Sequence, residues 1–239
     1  MIDTIYFDNW NTLVQAPNLM RKGSSTKIFH KYLTEQGIEI SYDSLIETYV
    51  PVARAQNREC ELDGYREPDY RKRLETVFKK LGVDSAVEHS YGAWKYYLRM
   101  WPEQTKFFSG VPRMLEELKP RYKLGIITNY MDGPTCRAVF QKLSYDEFFD
   151  SLVVSHELGY MKPAEILFET ALRETDSTPE RCLMVGDTYD ADVVGGNRIG
   201  MKTVLVDIYD DQHEFYHDCS MVIKNIEEFP DALQKLASG

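Results

Sequence analysis

The sequence contains five short apolar runs, rich in β-branched and aliphatic residues, that constrain its fold more than any other feature. These runs cover Thr4–Phe7, Lys123–Thr128, residues 152–155, Cys182–Gly186 and Lys202–Val206, and Met221–Ile223 is a candidate edge strand. Strands that are buried on both faces have continuous apolar sequences of this kind, as a parallel sheet requires. The pattern therefore predicts a parallel sheet with both faces covered.

Helical patterns lie between the later runs. Pro112 is predicted to open one helix, with Leu115 and Leu118 on a single face, and Pro163 is predicted to open another. Proline is tolerated at a helix start because the amide hydrogen that it lacks would have no partner there. Alternating strands and helices are typical of a doubly wound α/β fold, so we expect a Rossmann-like core.

The long interval after the first run interrupts this alternation. It contains helical stripes of apolar residues, of which the clearest are Leu74, Val77, Phe78 and Leu81, and Val87, Tyr91, Trp94, Leu98 and Trp101. Such stripes usually pack in a core. We predict a helical cap of residues 15–101, inserted into a core of residues 1–14 and 102–239. The insertion follows the C-terminal end of the first strand, where open α/β sheets bind ligands.

The net charge indicates which partners to expect, and the N-terminal sequence indicates where the protein is located. The formal net charge is −10 at pH 7, and a surface of that sign repels nucleic acids and anionic membranes. The first residues lack the basic start and apolar run of a signal peptide, and no stretch approaches the ~20 apolar residues of a membrane span. We expect a cytoplasmic protein whose partner is a small molecule, not a nucleic acid or a membrane. The oligomeric state is not constrained.

Polar residues follow the predicted strands at one edge of the predicted sheet. They are found at residues 8–12, at Thr128 and Asn129, at Lys162 and Pro163, and at Asp187 and Asp192. A carboxylate can attack phosphorus and so divide one difficult displacement into two easier ones. Magnesium bound by hard oxygen ligands would overcome the repulsion between that carboxylate and a phosphate. A hydroxyl and a lysine nearby would stabilise the transferring group.

The same segments resemble the motifs of the haloacid dehalogenase superfamily. FDNWNTL is similar to its first motif, GIITN to its second, GYMKPAEILFETAL to its third and CLMVGDTYDAD to its fourth. The resemblance covers residues 1–14 and 106–206. It implies a hydrolase with Mg²⁺ as its cofactor and a small phosphorylated metabolite as its substrate.

The resemblance also implies which residues bind the metal. Asp8 would be the nucleophile and a metal ligand. The backbone carbonyl of Trp10 and the carboxylate of Asp187 would be further ligands, and Asp192 would support a water of the metal.

The remaining motif residues are expected to contact the substrate. Thr12, at the end of the first motif, and Thr128 and Asn129, in the second, would bind it. Lys162 would neutralise the charge of the transferring group.

Trp10 is a departure from the family pattern. Phosphatases of the superfamily have a second aspartate at this position, which protonates the leaving group and then activates water, whereas an indole cannot exchange a proton in this range. General acid–base catalysis is typically worth ~10²–10⁴-fold. Efficient hydrolysis of ordinary alkyl phosphates is therefore not expected, unless a residue such as Asp190 replaces the missing acid.

Two alternatives remain open on the sequence. The dehalogenating branch of the superfamily often has an aromatic residue at the position of Trp10 and works without metal, so a metal-independent dehalogenase is one alternative. A binding protein on a catalytically weakened scaffold is the other. The acids Asp187 and Asp192 favour metal-dependent phosphatase chemistry, although acids in this position could instead cap a helix that starts near Ala191.

Overall fold

The computed structural model describes residues 1–21 and 23–238. The chain forms two compact units, one of Met1–Gln15 with Lys106–Gly239 and the other of Ala16–Thr105. The first unit contains the sheet, whereas the described residues of the second contain helices and no strand. The first segment of the core ends one residue later than predicted, at Gln15 instead of residue 14. The second segment begins four residues later than predicted, at Lys106 instead of residue 102. That the second unit acts as a cap stays a prediction.

The secondary structure elements are numbered in chain order. The strands are β1 (Thr4–Phe7), β2 (Val14–Gln15), β3 (Lys106–Phe107), β4 (Lys123–Thr128), β5 (Ser151–Val154), β6 (Cys182–Gly186), β7 (Lys202–Val206) and β8 (Met221–Ile223). The α-helices are α1 (Ser24–Glu35), α2 (Tyr42–Leu62), α3 (Tyr70–Lys80), α4 (Ala86–Leu98), α5 (Met100–Gln104), α6 (Val111–Leu118), α7 (Gly133–Lys142), α8 (Tyr145–Phe148), α9 (Ser155–Leu158), α10 (Glu165–Thr175), α11 (Val194–Arg198) and α12 (Phe229–Ser238). Short 3₁₀ turns span Pro179–Arg181, His213–Asp218 and Ile226–Glu228, and Tyr189–Val193 is a π-helical turn.

Among the described residues, six strands form one sheet in the order β5-β4-β1-β6-β7-β8, and every neighbouring pair is parallel. The chain moves outward from β1 through β4 and β5, and then crosses to β6 on the other side of β1. Crossovers between parallel strands are almost always right-handed, so crossovers that leave β1 in opposite directions are expected to place their helices on opposite faces of the sheet. The predicted doubly wound α/β fold is confirmed. The switch in direction lies between β1 and β6, where such sheets form a crevice for ligands.

Most of the strand predictions hold, and two local predictions need correction. The strand predicted at residues 152–155 is instead Ser151–Val154, because Ser155 already begins α9. Pro112 lies in the first turn of α6, as predicted. Pro163, however, does not open a helix: α10 begins at Glu165, because Ala164 before it has an extended backbone.

Strands β1 and β4 come close together at one residue pair. Tyr6 and Gly125 are register partners in these strands. The Tyr6 side chain is fully buried, and its hydroxyl oxygen lies 2.5 Å from Thr175 Oγ1 at the end of α10. A Cβ atom on Gly125 would lie 2.6 Å from the Tyr6 ring. The glycine is therefore required for the ring to lie between the sheet and α10.

The Gly125→Ala variant is expected to lower the free energy of unfolding by about 1–3 kcal/mol, the usual cost of overpacking a core. Urea unfolding of the variant and the wild type measures the difference. The same substitution made together with Tyr6→Leu should cost less, because the smaller side chain leaves room for the methyl group. An equal cost in both backgrounds would show that the Tyr6 ring is not the obstacle.

In the second unit, helix α4 buries only part of the predicted stripe: Trp94 and Leu98 are buried as predicted, and so is Trp101 in α5. Val87 and Tyr91, which were predicted to pack in the core, are 53% and 48% exposed. The buried residues of α4 are Ala86, Ser90, Ala93, Trp94, Tyr97 and Leu98. Half of these side chains are small and allow the neighbouring helices to approach. The pattern of large apolar residues was therefore right for Trp94 and Leu98 and wrong for Val87 and Tyr91.

A last feature of the helices concerns membranes. In the part of the chain that the structure describes, no helix combines the length and the apolar content needed for a membrane span.

Candidate active site

Asp8 directly follows β1, at the C-terminal edge of the sheet. Its backbone amide donates a 2.8 Å hydrogen bond to the carbonyl of Val185 on β6, which continues the strand pairing up to this residue. The chain then turns sharply: Val14 donates to the Asn9 carbonyl, and Asn11 has a left-handed backbone with φ 60°. Asparagine tolerates that conformation better than most residues. The turn leaves Asp8 only 6% exposed.

Lys162 reaches Asp8 from the loop between α9 and α10. Its Nζ atom lies 2.6 Å from each of three acceptors, which are Oδ1 of Asp8, Oδ1 of Asp192 and the carbonyl oxygen of Ile127. These bonds use all three hydrogens of an ammonium group. Burial alone would lower the pKa of Lys162, but the charges of Asp192 and Asp8 outweigh it and raise the pKa. Lys162 is therefore charged, and it fixes the orientation of the Asp8 carboxylate.

Asn129 follows β4 and contacts the backbone of Lys162 with both ends of its amide. Its Nδ2 atom donates to the Lys162 carbonyl at 3.2 Å, and its Oδ1 atom accepts from the Lys162 amide at 2.7 Å. The sequence predicted a contact between Asn129 and substrate, which stays a prediction. The structure adds a role that the sequence did not indicate, because this amide holds the lysine loop in place.

Asp187 and Asp192 follow β6. Asp192 is 1% exposed, and its Oδ2 atom accepts a 3.0 Å bond from the backbone amide of Thr188. Gly186 makes room for this carboxylate, because a Cβ atom there would lie 2.2 Å from Asp192 Cγ. Asp192 lies inside the π-helical turn rather than ahead of a helix, and its two oxygens bind Lys162 and the Thr188 amide.

These side chains line one cavity of about 160 Å³ in the first unit. The predicted site residues in its wall are Asp8, Trp10, Asn129, Lys162, Asp187 and Asp192. Thr12 and Thr128 do not line it: both are fully buried, and their hydroxyls have no hydrogen-bond partner among the described residues. Asp190, the suggested replacement acid, is exposed and also lies outside the cavity wall.

The cavity holds more acidic groups than basic ones. Asp8, Asp187 and Asp192 offer carboxylate oxygens that all lie within 4.8 Å of one another. Burial, together with the charges of Asp8 and Asp192, raises the pKa of Asp187 to about 8. Burial also raises the pKa of Asp8 to about 6, although Lys162 opposes the shift. One lysine does not balance three carboxylates, and hard oxygen donors of this kind fit a divalent cation such as Mg²⁺.

An aromatic pair forms another side of the site. The rings of Trp10 and Tyr130 stack with their centroids 4.9 Å apart and an angle of 22° between their planes. Both side chains are buried, and Trp10 is part of the cavity wall. An indole stacked in this way presents a flat apolar surface next to the Asp8 carboxylate. The indole of Trp10 thus lies where the motif that this segment resembles would have its second aspartate.

Comparison with known proteins decides the family. The model of the haloacid dehalogenase-like hydrolase family matches residues 31–206, which is more than half of the chain. The chain belongs to this family. Its predicted membership of the superfamily and its classification as a hydrolase are confirmed.

Relatives of this hydrolase include named phosphatases. The ribulose-1,5-bisphosphate 5-phosphatase of Halopiger xanaduensis is 28% identical over 216 residues, which cover 87% of this chain and 85% of that protein.

Solved structures with the same fold include proteins of both chemical classes. A 2-haloacid dehalogenase from Pseudomonas syringae pv. Tomato has a TM-score of 0.75 at 22% identity and covers 99% of this chain and 100% of its own. A phosphatase of the family from Thermococcus onnurineus has a TM-score of 0.69 at 21% identity, and the match covers 97% of this chain and 98% of that chain. At these identities the likeness shows the fold alone.

Two residues near the site have contacts that the sequence did not predict. Tyr145 on α8 is fully buried and donates a 2.5 Å hydrogen bond to Asn9 Oδ1, next to Asp8 in the chain. Gln212, after β7, contacts the backbone of Asp187. Neither residue belongs to a motif or to a periodic pattern, so the sequence carries no signal for them.

Proposed function

We propose that this protein is a magnesium-dependent phosphatase that acts on a small phosphorylated metabolite through an aspartyl-phosphate on Asp8. The observation that carries the proposal is the convergence of Asp8, Asp187 and Asp192 around the ammonium group of Lys162. The phosphatase activity of the Halopiger relative, which aligns over most of both chains, supports the same chemistry.

In the first half-reaction, an oxygen of Asp8 attacks the phosphorus atom. The new bond joins Asp8 to phosphorus, and the bond to the leaving-group oxygen breaks with its electron pair on that oxygen. Lys162 holds Asp8 Oδ1 in position and adds positive charge where negative charge develops. The Thr128 hydroxyl has no hydrogen-bond partner among the described residues and is proposed to donate to a phosphoryl oxygen, with the Thr12 hydroxyl as a second candidate. Both are fully buried outside the cavity wall, so this contact requires a local movement when substrate binds.

In the second half-reaction, water attacks the phosphorus atom of the aspartyl-phosphate. This step releases inorganic phosphate and restores the Asp8 carboxylate. A positioned base would speed the step, but the cavity wall has an indole where the family has its second aspartate.

The proposed cation site consists of the carboxylates of Asp8 and Asp187 and the backbone carbonyl of Trp10. Asp192 has both oxygens bonded to Lys162 and Thr188, so it is proposed to support a water of the metal. When bound, Mg²⁺ offsets the repulsion between these carboxylates and the substrate phosphate.

Mg²⁺ is expected to raise the melting temperature of the wild-type protein, because a ligand that binds only the folded state stabilises it by about 2.7 kcal/mol at a hundredfold excess over its Kd. The Asp187→Asn variant should lose most of this shift. The variant Asp84→Asn, which changes an exposed acid in the helical unit, should keep it. Differential scanning fluorimetry with and without EDTA makes the measurement. An equal shift in Asp187→Asn would contradict the proposed ligand set.

A metal-independent dehalogenase is the second candidate, and the stacked Trp10 and Tyr130 favour it. This aromatic pair gives the cavity an apolar wall beside Asp8, which suits attack on the carbon of a 2-haloacid. Activity assays separate the two functions. Release of phosphate that EDTA abolishes and Mg²⁺ restores supports the phosphatase, whereas release of chloride from 2-chloropropionate that is indifferent to EDTA supports the dehalogenase.

A further inference from the structure

One side chain joins the segment after β7 to the loop that carries Asp187. Gln212 Nε2 donates a 2.9 Å hydrogen bond to the Asp187 carbonyl, and Gln212 Oε1 accepts a 3.0 Å bond from the Tyr189 amide. The two bonds hold the peptide groups on either side of Thr188. Because a primary amide both donates and accepts, it can satisfy this pair of backbone groups as an adjacent strand would.

Gln212 is itself held by a buried acid. Asp207 is fully buried, and its carboxylate accepts bonds from the backbone amides of Asp211 and Gln212 at 3.2 and 3.4 Å. The Tyr216 hydroxyl donates to the same carboxylate at 2.5 Å, and Lys224 Nζ lies 3.5 Å from it. A buried carboxylate with several donors and a balancing cation is a rigid support. Asp207 therefore fixes the backbone of Gln212, and with it the point from which the Gln212 side chain reaches the Asp187 loop.

The other side of the same loop is held by an aromatic contact. The rings of Tyr189 and Phe215 stack with centroids 4.0 Å apart and 9° between their planes. The Tyr189 hydroxyl donates to Asp218 Oδ2 at 2.5 Å. Gln212 thus holds the backbone of the loop. Phe215 and Asp218, in the 3₁₀ turn after Gln212, hold the side chain of Tyr189.

The Asp187 side chain has few supports of its own. It is half-buried, and among the described residues the Thr188 hydroxyl, at 3.3 Å, and the side chain of Asn11 are its hydrogen-bond donors. The direction of its carboxylate therefore depends on the backbone, and the backbone is held by Gln212.

We propose that Gln212 is a positioning residue that sets the affinity of the Asp187 site for Mg²⁺ by fixing the peptide groups around Thr188. The inference rests on the proposed function, in which Asp187 is a metal ligand. Loss of a group that orients a metal ligand typically weakens metal binding ~10–100-fold, and we expect a loss in that range for Gln212.

The test compares Gln212→Met with Gln141→Met. Methionine has a similar length and no amide, and Gln141 is an exposed residue of α7 with no side-chain hydrogen bond among the described residues. Isothermal titration calorimetry with MgCl₂ should give a Kd raised ~10–100-fold in Gln212→Met and unchanged in Gln141→Met. Saturating Mg²⁺ should return kcat of Gln212→Met close to the wild-type value, because the amide takes no part in the chemistry.

Hydrogen exchange of the metal-free proteins provides a second measurement that does not depend on the metal. The Tyr189 amide loses its acceptor in Gln212→Met, so the peptide that contains residues 187–189 should exchange faster than in the wild type. If this exchange and the Kd are both unchanged, the positioning role is wrong. If the wild type itself binds no Mg²⁺, the proposed metal site is wrong, and the exchange of residues 187–189 alone decides whether Gln212 holds the loop.

Discussion

The Asp8→Asn variant is expected to lose at least ~10⁴-fold in turnover, because loss of a covalent nucleophile removes the reaction path itself. Asparagine keeps the volume of the side chain and an oxygen that accepts from Lys162 Nζ. Lys162 also retains Asp192 and the Ile127 carbonyl as acceptors. The fold should therefore persist, and circular dichroism and the melting temperature should show no large change.

The matched control is Asp84→Asn, the same chemical change at an exposed position of the helical unit. It should leave kcat/KM unchanged. Rapid-quench mass spectrometry adds a direct readout, since a phosphorylated peptide that contains Asp8 should be found in the wild type and not in Asp8→Asn. Substantial turnover by Asp8→Asn would remove Asp8 from the nucleophile role and leave the rest of the site to be explained differently.

The second large effect is expected from the leaving group. Without an acid at position 10 the leaving group must depart without a proton, so acyl and aryl phosphates should be hydrolysed ~10²–10⁴-fold faster than alkyl or sugar phosphates, the range that general acid catalysis normally supplies. The step that follows should also be slow, because Trp10 takes the position from which a carboxylate would activate water. Phosphorylated Asp8 should therefore accumulate during turnover of an aryl phosphate.

Replacement of Trp10 tests this explanation. Trp10→Asp should speed the hydrolysis of alkyl phosphates, whereas Trp10→Asn removes the same indole and cannot transfer a proton. Both variants lose the stack with Tyr130, so any difference between them measures the effect of the new acid alone. If the wild type hydrolyses alkyl and aryl phosphates equally well, another residue supplies the proton, and Asp190→Asn becomes the variant to measure.

The predicted sheet was accurate because its signal is local. Strand β1 is a continuous apolar run that is followed by Asp8, and β6 is one that ends at Gly186. The bounds of both strands and the position of Asp8 could therefore be predicted. Parallel strands present their C-terminal ends at one edge. Asp8 and Asp187 each follow a parallel strand, so their proximity could be predicted from the sequence without knowledge of any contact.

Contacts between side chains and distant backbone could not be predicted in this way. Asn129 belongs to a motif, yet nothing in its neighbourhood shows that both ends of its amide bind Lys162. Gln212 lies in a loop without periodicity, and its partners are set by the path of the chain after β7. The face of α4 was predicted from its large residues alone, so buried Trp94 was identified and small buried residues such as Ala93 were missed.

The three acceptors of Lys162 have a consequence for the biosynthesis of the protein. The ammonium group joins Asp8, the Ile127 carbonyl and Asp192, which are separated by up to 154 positions from the lysine along the chain. A buried lysine without its carboxylates is strongly unfavourable. While the chain is being made, Asp8 leaves the ribosome early and has neither its lysine nor the neighbouring acid. The set of contacts that holds Asp8, the proposed nucleophile, can therefore be complete only after residue 192 has been synthesised.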